Sequence, residues 1–182
     1  ENRVLRALRE SDPRATLAHL AYANTLKPPA QISPDPGIFL EFAPIHRSYQ
    51  VPLSCREGCA SDPKRGSHQE LLDALEANLA VFGCDHAQVL EYWLDVSLFS
   101  GWKRDQTVRL PWNHDVFLKD LRTYSEFGIR HVTSFACWID GAYIMRFGEP
   151  PAREYGVGLL AFTSQSASNH KRRTASRVPH HA

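Results

Sequence analysis

The sequence predicts an α/β fold in which four parallel strands alternate with flanking helices, and three observations predict it. Apolar and aromatic stretches at 17–23, 38–45, 89–95 and 131–138 lack clean polar alternation, which marks strands covered on both faces. Amphipathic stretches with recognisable start and stop residues lie between the later ones, and strands alternating with helices pair in parallel. The 182 residues, 43% hydrophobic and 23% charged, match an ordinary globular domain and exclude a disordered, collagenous or disulfide-dense chain.

Residues 1–10 (ENRVLRALRE) read as a helix, with neither an initiator Met nor an apolar leader before it, as if the chain began inside a longer one. The first strand, LAHLAYA, ends at Tyr22 and Asn24. Pro28, Pro29, Pro34 and Pro36 follow, so no standard crossover helix is expected there. The second strand, IFLEFAPI, carries Glu41 at its middle and runs on to His46 and Arg47. A long connection over 46–66 then leads to Ser67-His68-Gln69-Glu70, a capping box in which hydroxyl and carboxylate each satisfy an orphan backbone donor. Leu71, Leu72, Leu75, Leu79 and Phe82 recur at helical spacing after it, and Gly83 stops the helix.

The third strand, VLEYWLD, opens onto a second long connection over 96–112. Asn113 caps the next helix, which carries Phe117, Leu118, Leu121 and Tyr124 on one face and stops at Gly128. The fourth strand, HVTSFACW, ends at Trp138 and Asp140. Strand-to-helix connections are thus long and helix-to-strand ones short. Ligands of α/β folds bind at the carboxyl ends of strands, where such long connections gather. From 161 to 182 the chain reads as a basic, structureless tail, with Lys171, Arg172, Arg173 and Arg177 and no acid from Thr163 onward. The rest holds 17 basic against 20 acidic residues, a net of −3, so the overall +1 belongs to the tail. A nucleic-acid partner is not expected, nor is a membrane span, because no apolar run approaches the roughly 18 residues that one needs.

Strict alternation puts Glu91, Trp93 and Asp95 on one face of the third strand. Two carboxylates beside an indole suit a sugar, whose apolar ring face stacks while its hydroxyls bond. Glu91 and Asp95 are therefore the candidate catalytic carboxyls. In the alternative, Glu91 pairs with an Arg and Trp93 fills the core. Glu41 reads either as an acid with a raised pKa or as an interior carboxylate paired with an Arg. Glu41, with His46, Arg47, Tyr22, Asn24, Trp93, Trp138 and Asp140 on or beyond the strands, makes up the candidate substrate contacts. The sequence has no Gly-x-Ser-x-Gly elbow, no Gly-rich phosphate loop and no HExxH helix. Cys55, Cys59, Cys84 and Cys137 lack paired CxxC spacing, so neither a metal nor another cofactor is expected. A Cys55–Cys59 disulfide would need an oxidising compartment, periplasmic or secreted.

Four phrases carry a more specific signal. LAYANTLKPP (20–29), FLEFAPIHRSY (39–49), VLEYWLDVSLFSGWK (89–103) and HVTSFACWIDGAYIMRFGEPPAREYG (131–156) resemble the carboxyl-terminal half of a bacterial family, domain of unknown function 4838. The resemblance implies a glycoside-hydrolase-like TIM barrel related in fold to hexosaminidases. On it, residues 1–160 would form the carboxyl-terminal half of a (β/α)8 barrel, and the partner of this chain would be the missing amino-terminal half. The expected function is part of a glycoside hydrolase acting on an oligosaccharide or polysaccharide through carboxyl groups. The alternatives are a non-catalytic carbohydrate-binding barrel and a fragment inactive alone. Hexosaminidase-like barrels carry an adjacent Asp-Glu pair, and none occurs in this sequence, so a catalytic pair of that kind would lie upstream.

Overall fold

The computed structural model describes residues 1–56 and 67–175, with side chains through residue 163. The strands β1 (Leu17–Ala21), β2 (Ile38–Phe42), β3 (Gln88–Glu91) and β4 (His131–Ser134) form a parallel sheet in chain order. Leu17 lies opposite Ile38, Glu41 opposite Gln88, and Gln88 opposite His131. Each crossover steps one place in the same direction. With no reversal of strand order and with the helices His68–Phe82, His114–Glu126 and Ala152–Ala175 packed on one face, the sheet fits half of a (β/α)8 barrel rather than a doubly wound sheet.

Every strand stops earlier than its apolar stretch. Pro44, which has no N–H to give a ladder, follows β2 closely, so His46 and Arg47 belong to the next loop. β1 ends where the Thr25 hydroxyl donates to the Leu20 carbonyl at 2.8 Å and folds residues Ala23–Thr25 into a 3₁₀ turn. β3 ends at Glu91, and Tyr92 to Asp95 turn. Glu91, Trp93 and Asp95 therefore do not share a strand face, because the alternation that predicted it lasts only as long as the strand.

The helices are α1 (Asn2–Ser11), α2 (His68–Phe82), α3 (Val96–Phe99), α4 (His114–Glu126), α5 (Gly141–Phe147) and α6 (Ala152–Ala175). The Ser67 capping box forms as predicted, with Ser67 Oγ accepting from Glu70 N at 3.1 Å and Glu70 Oε2 from Ser67 N at 3.0 Å. Gly83 ends α2 at φ 74°, a left-handed conformation that favours glycine. Asn113 caps α4 by accepting from Val116 N at 3.1 Å. α3, α5 and α6 are not foreseen from the sequence. α6 runs on to Ala175, through residues expected to form a structureless tail, since no Gly or Pro follows Gly158 before Pro179 to break it.

One face of the sheet is core. Leu40, Phe42, Val89 and Val132 pack there against Leu71 and Leu75 of α2, Phe117, Leu121 and Tyr124 of α4, and Phe162 of α6. α6 approaches α4 at Gly158, where a Cβ would lie 2.3 Å from Phe117 Cε1. α1 stands in for the absent β1–β2 crossover helix. The Asn2 amide donates to the Ser33 carbonyl, Arg6 pairs with Asp35 at 2.6 Å, and Glu1 meets His19 of β1 at 3.0 Å. The other face carries Leu20, 40% exposed, with Phe39, Glu41, Leu90 and the exposed Thr133. Among the described residues, no helix is long and apolar enough to cross a membrane.

Candidate functional site

Glu91, Arg47 and Asp120 form a buried ionic chain between the sheet and its helices. Arg47 Nη1 donates to Glu91 Oε1 at 2.7 Å and Nη2 to Asp120 Oδ2 at 2.6 Å, with all three side chains fully enclosed. Trp93 Nε1 donates to the same Asp120 oxygen at 3.2 Å, and Leu53 N to the other at 2.8 Å. The Tyr124 hydroxyl donates to Glu91 Oε1. Burial opposes the charge on Arg47, but Asp120 and Glu91 together hold its guanidinium firmly protonated. Burial raises the Glu91 carboxyl above its usual range, against the pull of Arg47. The chain fastens the loop after β2 to β3 and α4.

This arrangement corrects several expectations. Arg47 is not a ligand contact, because its guanidinium is spent on two buried carboxylates. Glu91 is the Arg-paired interior carboxylate. Trp93 is a core residue, packed edge-on against Phe117 with ring centroids 4.9 Å apart, and offers no stacking platform. Asp95 is buried as the N-cap of α3, its Oδ1 accepting from Ser97 N at 3.0 Å, from the Ser97 hydroxyl at 2.5 Å and from Leu98 N at 3.3 Å. A carboxylate so engaged is a helix cap, not a free acid or base. Among the described residues, both side chains are enclosed, Glu91 fully and Asp95 all but fully.

A row of aromatic side chains lies on the other side of the sheet, at the carboxyl ends of its strands, and is exposed at its flanks. Tyr22, Tyr92 and Phe135 follow β1, β3 and β4. The Tyr22 and Tyr92 rings stack with centroids 6.5 Å apart and planes 26° apart, and Tyr92 and Phe135 at 5.2 Å and 20°. Tyr92 is enclosed between its neighbours, Tyr22 is half-buried, and Phe135 is 39% exposed. Glu41 shares this face on β2 and accepts from Gln88 Nε2 at 2.7 Å. Its partner is an amide of the adjacent strand rather than an Arg. Burial, with Tyr22 as the next cause, pushes the Tyr92 hydroxyl far up and keeps it neutral.

The remaining candidates occupy the same rim. Asn24 is exposed in the 3₁₀ turn after β1. His46 is exposed beside a cleft of about 130 Å³ that also borders Leu26, Pro44 and Glu70. Trp138 and Asp140 lie together after β4. Asp140 caps α5, accepting from Tyr143 N at 3.0 Å, and pairs with Arg104, whose guanidinium stands 5.6 Å from the Trp138 ring centroid. The Tyr143 N–H and Arg104 hold the Asp140 carboxyl below its usual range. Trp102 and Trp138 take left-handed backbone, φ 62° and 61°, which bulky residues adopt only where their surroundings impose it.

Cys55, Cys84 and Cys137 are free thiols, and Cys59 lies outside the described residues, as does any pairing with it. Among the described residues no group of three or more His, Cys, Asp or Glu side chains is placed to hold a metal ion. Sequence reasoning missed Asp120, Tyr92 and Phe135. Asp120 had a legible signal, an acid set between Phe117 and Leu121 in the apolar stripe of α4, where a carboxylate needs a buried partner. Against known protein families, curated proteins and solved structures, the chain shows no match.

Proposed function

We propose that this chain is the sugar-holding sector of a glycoside-hydrolase-like barrel, binding a glycan along the carboxyl ends of its strands. The Tyr22–Tyr92–Phe135 row carries the reading. It sets aromatic faces just past the ends of β1, β3 and β4, on the Glu41 side of the sheet, and the carboxyl ends of the strands are where α/β barrels hold ligands. Phe135 and Tyr22 supply stacking surface, and Glu41 and Asn24 supply hydroxyl partners. Because Glu91 and Asp95 are committed to structural bonds, the sector holds the sugar and leaves bond cleavage to carboxyls outside this sheet. Strands completing the barrel would pair with the free edges of β1 and β4 and are the partner this reading requires.

Calorimetry of the full chain against a panel of neutral oligosaccharides tests it. Binding is expected, with Phe135→Ala and Tyr22→Ala each weakening it by about tenfold, equivalent to about 1.4 kcal/mol. Glu91→Gln and Asp95→Asn should leave the affinity of the folded protein unchanged. No binding at millimolar glycan, or binding indifferent to both aromatic substitutions, refutes the proposal.

A further inference from the structure

The rim holds a second cleft that differs from the aromatic row in charge. It has a volume of about 160 Å³ and is lined by Arg104, Thr107, Trp138, Tyr143 and Arg146, with Asp140 at its side. We propose that this cleft binds one acidic pyranose, a single sugar ring carrying an anionic substituent, with Trp138 against the ring and Arg104 and Arg146 on the anion. The ring rests on the carbohydrate reading above, whereas the preference for an anion does not.

The size excludes a longer ligand, since pockets for drug-sized molecules run from about 300 to 1,000 Å³. The charge follows from how the three ionic groups are used. Asp140 is spent, one oxygen on Tyr143 N and the other on Arg104. Among the described residues, Arg104 makes that one side-chain hydrogen bond and Arg146 gives Nη1 to the Thr107 carbonyl at 3.2 Å, which leaves donors of both forks for a ligand. Two guanidinium groups thus line one small cleft with one carboxylate between them, an excess of one positive charge. Their planar forks match a carboxylate or sulfate in geometry.

Trp138 gives the cleft its ring surface. Its left-handed backbone turns the chain after β4, and Val96 N, donating to the Cys137 carbonyl at 3.2 Å, fastens that turn to α3. Asp140 is then positioned to hold Arg104 beside the indole. Phe135 and Trp138 lie on the same β4–α5 loop, so the acidic subsite continues the neutral one along the rim.

The test is calorimetry of the full chain with a methyl hexuronide, a hexose sulfate, the neutral methyl hexoside and inorganic sulfate. The acidic sugars are expected to bind roughly tenfold or more tighter than the neutral hexoside, as charge-assisted bonds require, and to weaken as salt rises. The hexuronide and sulfate arms show which anion fits better. Arg146→Gln should erase the preference and leave neutral-oligosaccharide binding at Phe135 unchanged. Equal affinity for acidic and neutral hexosides overturns the proposal, and so does inorganic sulfate binding as tightly as the acidic sugars. A preference that survives in Arg146→Gln overturns it as well. Neutral oligosaccharides that bind through Phe135 without any acidic preference refute this inference alone. Acidic sugars that bind here while neutral ones fail at Phe135 refute only the reading of the row.

Discussion

Removing Asp120 is the sharpest test of the ionic chain. Its carboxylate accepts from Arg47 Nη2 at 2.6 Å, Trp93 Nε1 at 3.2 Å and Leu53 N at 2.8 Å, all in the interior. Asp120→Ala leaves three buried donors without an acceptor, one of them charged. Breaking a buried ion pair from one side costs about 3–5 kcal/mol. Glu91→Gln is a different perturbation. The amide oxygen keeps its bonds from Arg47 and Tyr124, and the substitution removes one of two negative charges facing a single guanidinium. It loses the acceptor of Tyr92 N, a cost of about 1 kcal/mol. Urea unfolding followed by circular dichroism and tryptophan fluorescence should show the Asp120→Ala midpoint lowered by about 2 M, from typical urea slopes of about 1–3 kcal/mol/M. Glu91→Gln should move it by about 0.5 M at the same typical slopes. If Glu91→Gln costs as much as Asp120→Ala, or Asp120→Ala moves the midpoint by less than about 0.5 M, the chain is not the fastening described. Asp120→Asn, which keeps an acceptor for Leu53 N, supplies the comparison if the alanine variant fails to fold.

His68 predicts a pH dependence. Its buried ring donates through Nδ1 to the Pro52 carbonyl at 3.0 Å and accepts from Ser48 N at Nε2, 3.3 Å away, so it is held neutral. Burial, and Arg47 after it, lower its pKa. The unfolded chain therefore takes up a proton near pH 6.5 that the folded one refuses, and stability falls as pH drops below about 6.5. The loss levels off once pH passes the lower folded value. A urea midpoint measured at pH 7.5 and 5.5 should fall less in His68→Gln than in the wild type, and equal slopes would remove His68 as the cause. Gly158→Ala should destabilise by about 1–3 kcal/mol, because its Cβ would meet Phe117 Cε1 at 2.3 Å and force α6 from α4. A thermal midpoint unchanged in that variant would show that the helices do not hold this spacing.

Strand centres and the caps of α2 and α4 were legible in the sequence because each depends on neighbours within one turn. Ser67, Gly83, Asn113 and the apolar middle of every strand stand where local chemistry puts them. What was hidden depends on distant partners. Arg47 reads as a strand-end cation until Glu91 and Asp120, 44 and 73 residues away, enclose it. Asp95 reads as a reactive acid because its role as the cap of α3 requires knowing that β3 has already ended. The aromatic row needs three strands side by side, and no spacing within one segment encodes that. Tyr92 still carried a partial signal, since alternation put it on the face opposite Glu91.

The ladder between β2 and β3 is the thinnest joint in the sheet. It is paired at Glu41–Gln88 and Phe42–Val89 alone, against five positions between β1 and β2 and four between β3 and β4. Side chains cross it as well, as Gln88 reaches Glu41 on the open face and Arg47 reaches Glu91 on the covered one. Under a pull that parts the strands, that seam bears on one amide–carboxylate bond and one ion pair. The sheet's mechanical continuity therefore depends on charge as much as on backbone, and its two halves, β1–β2 and β3–β4, are the pieces into which it would divide.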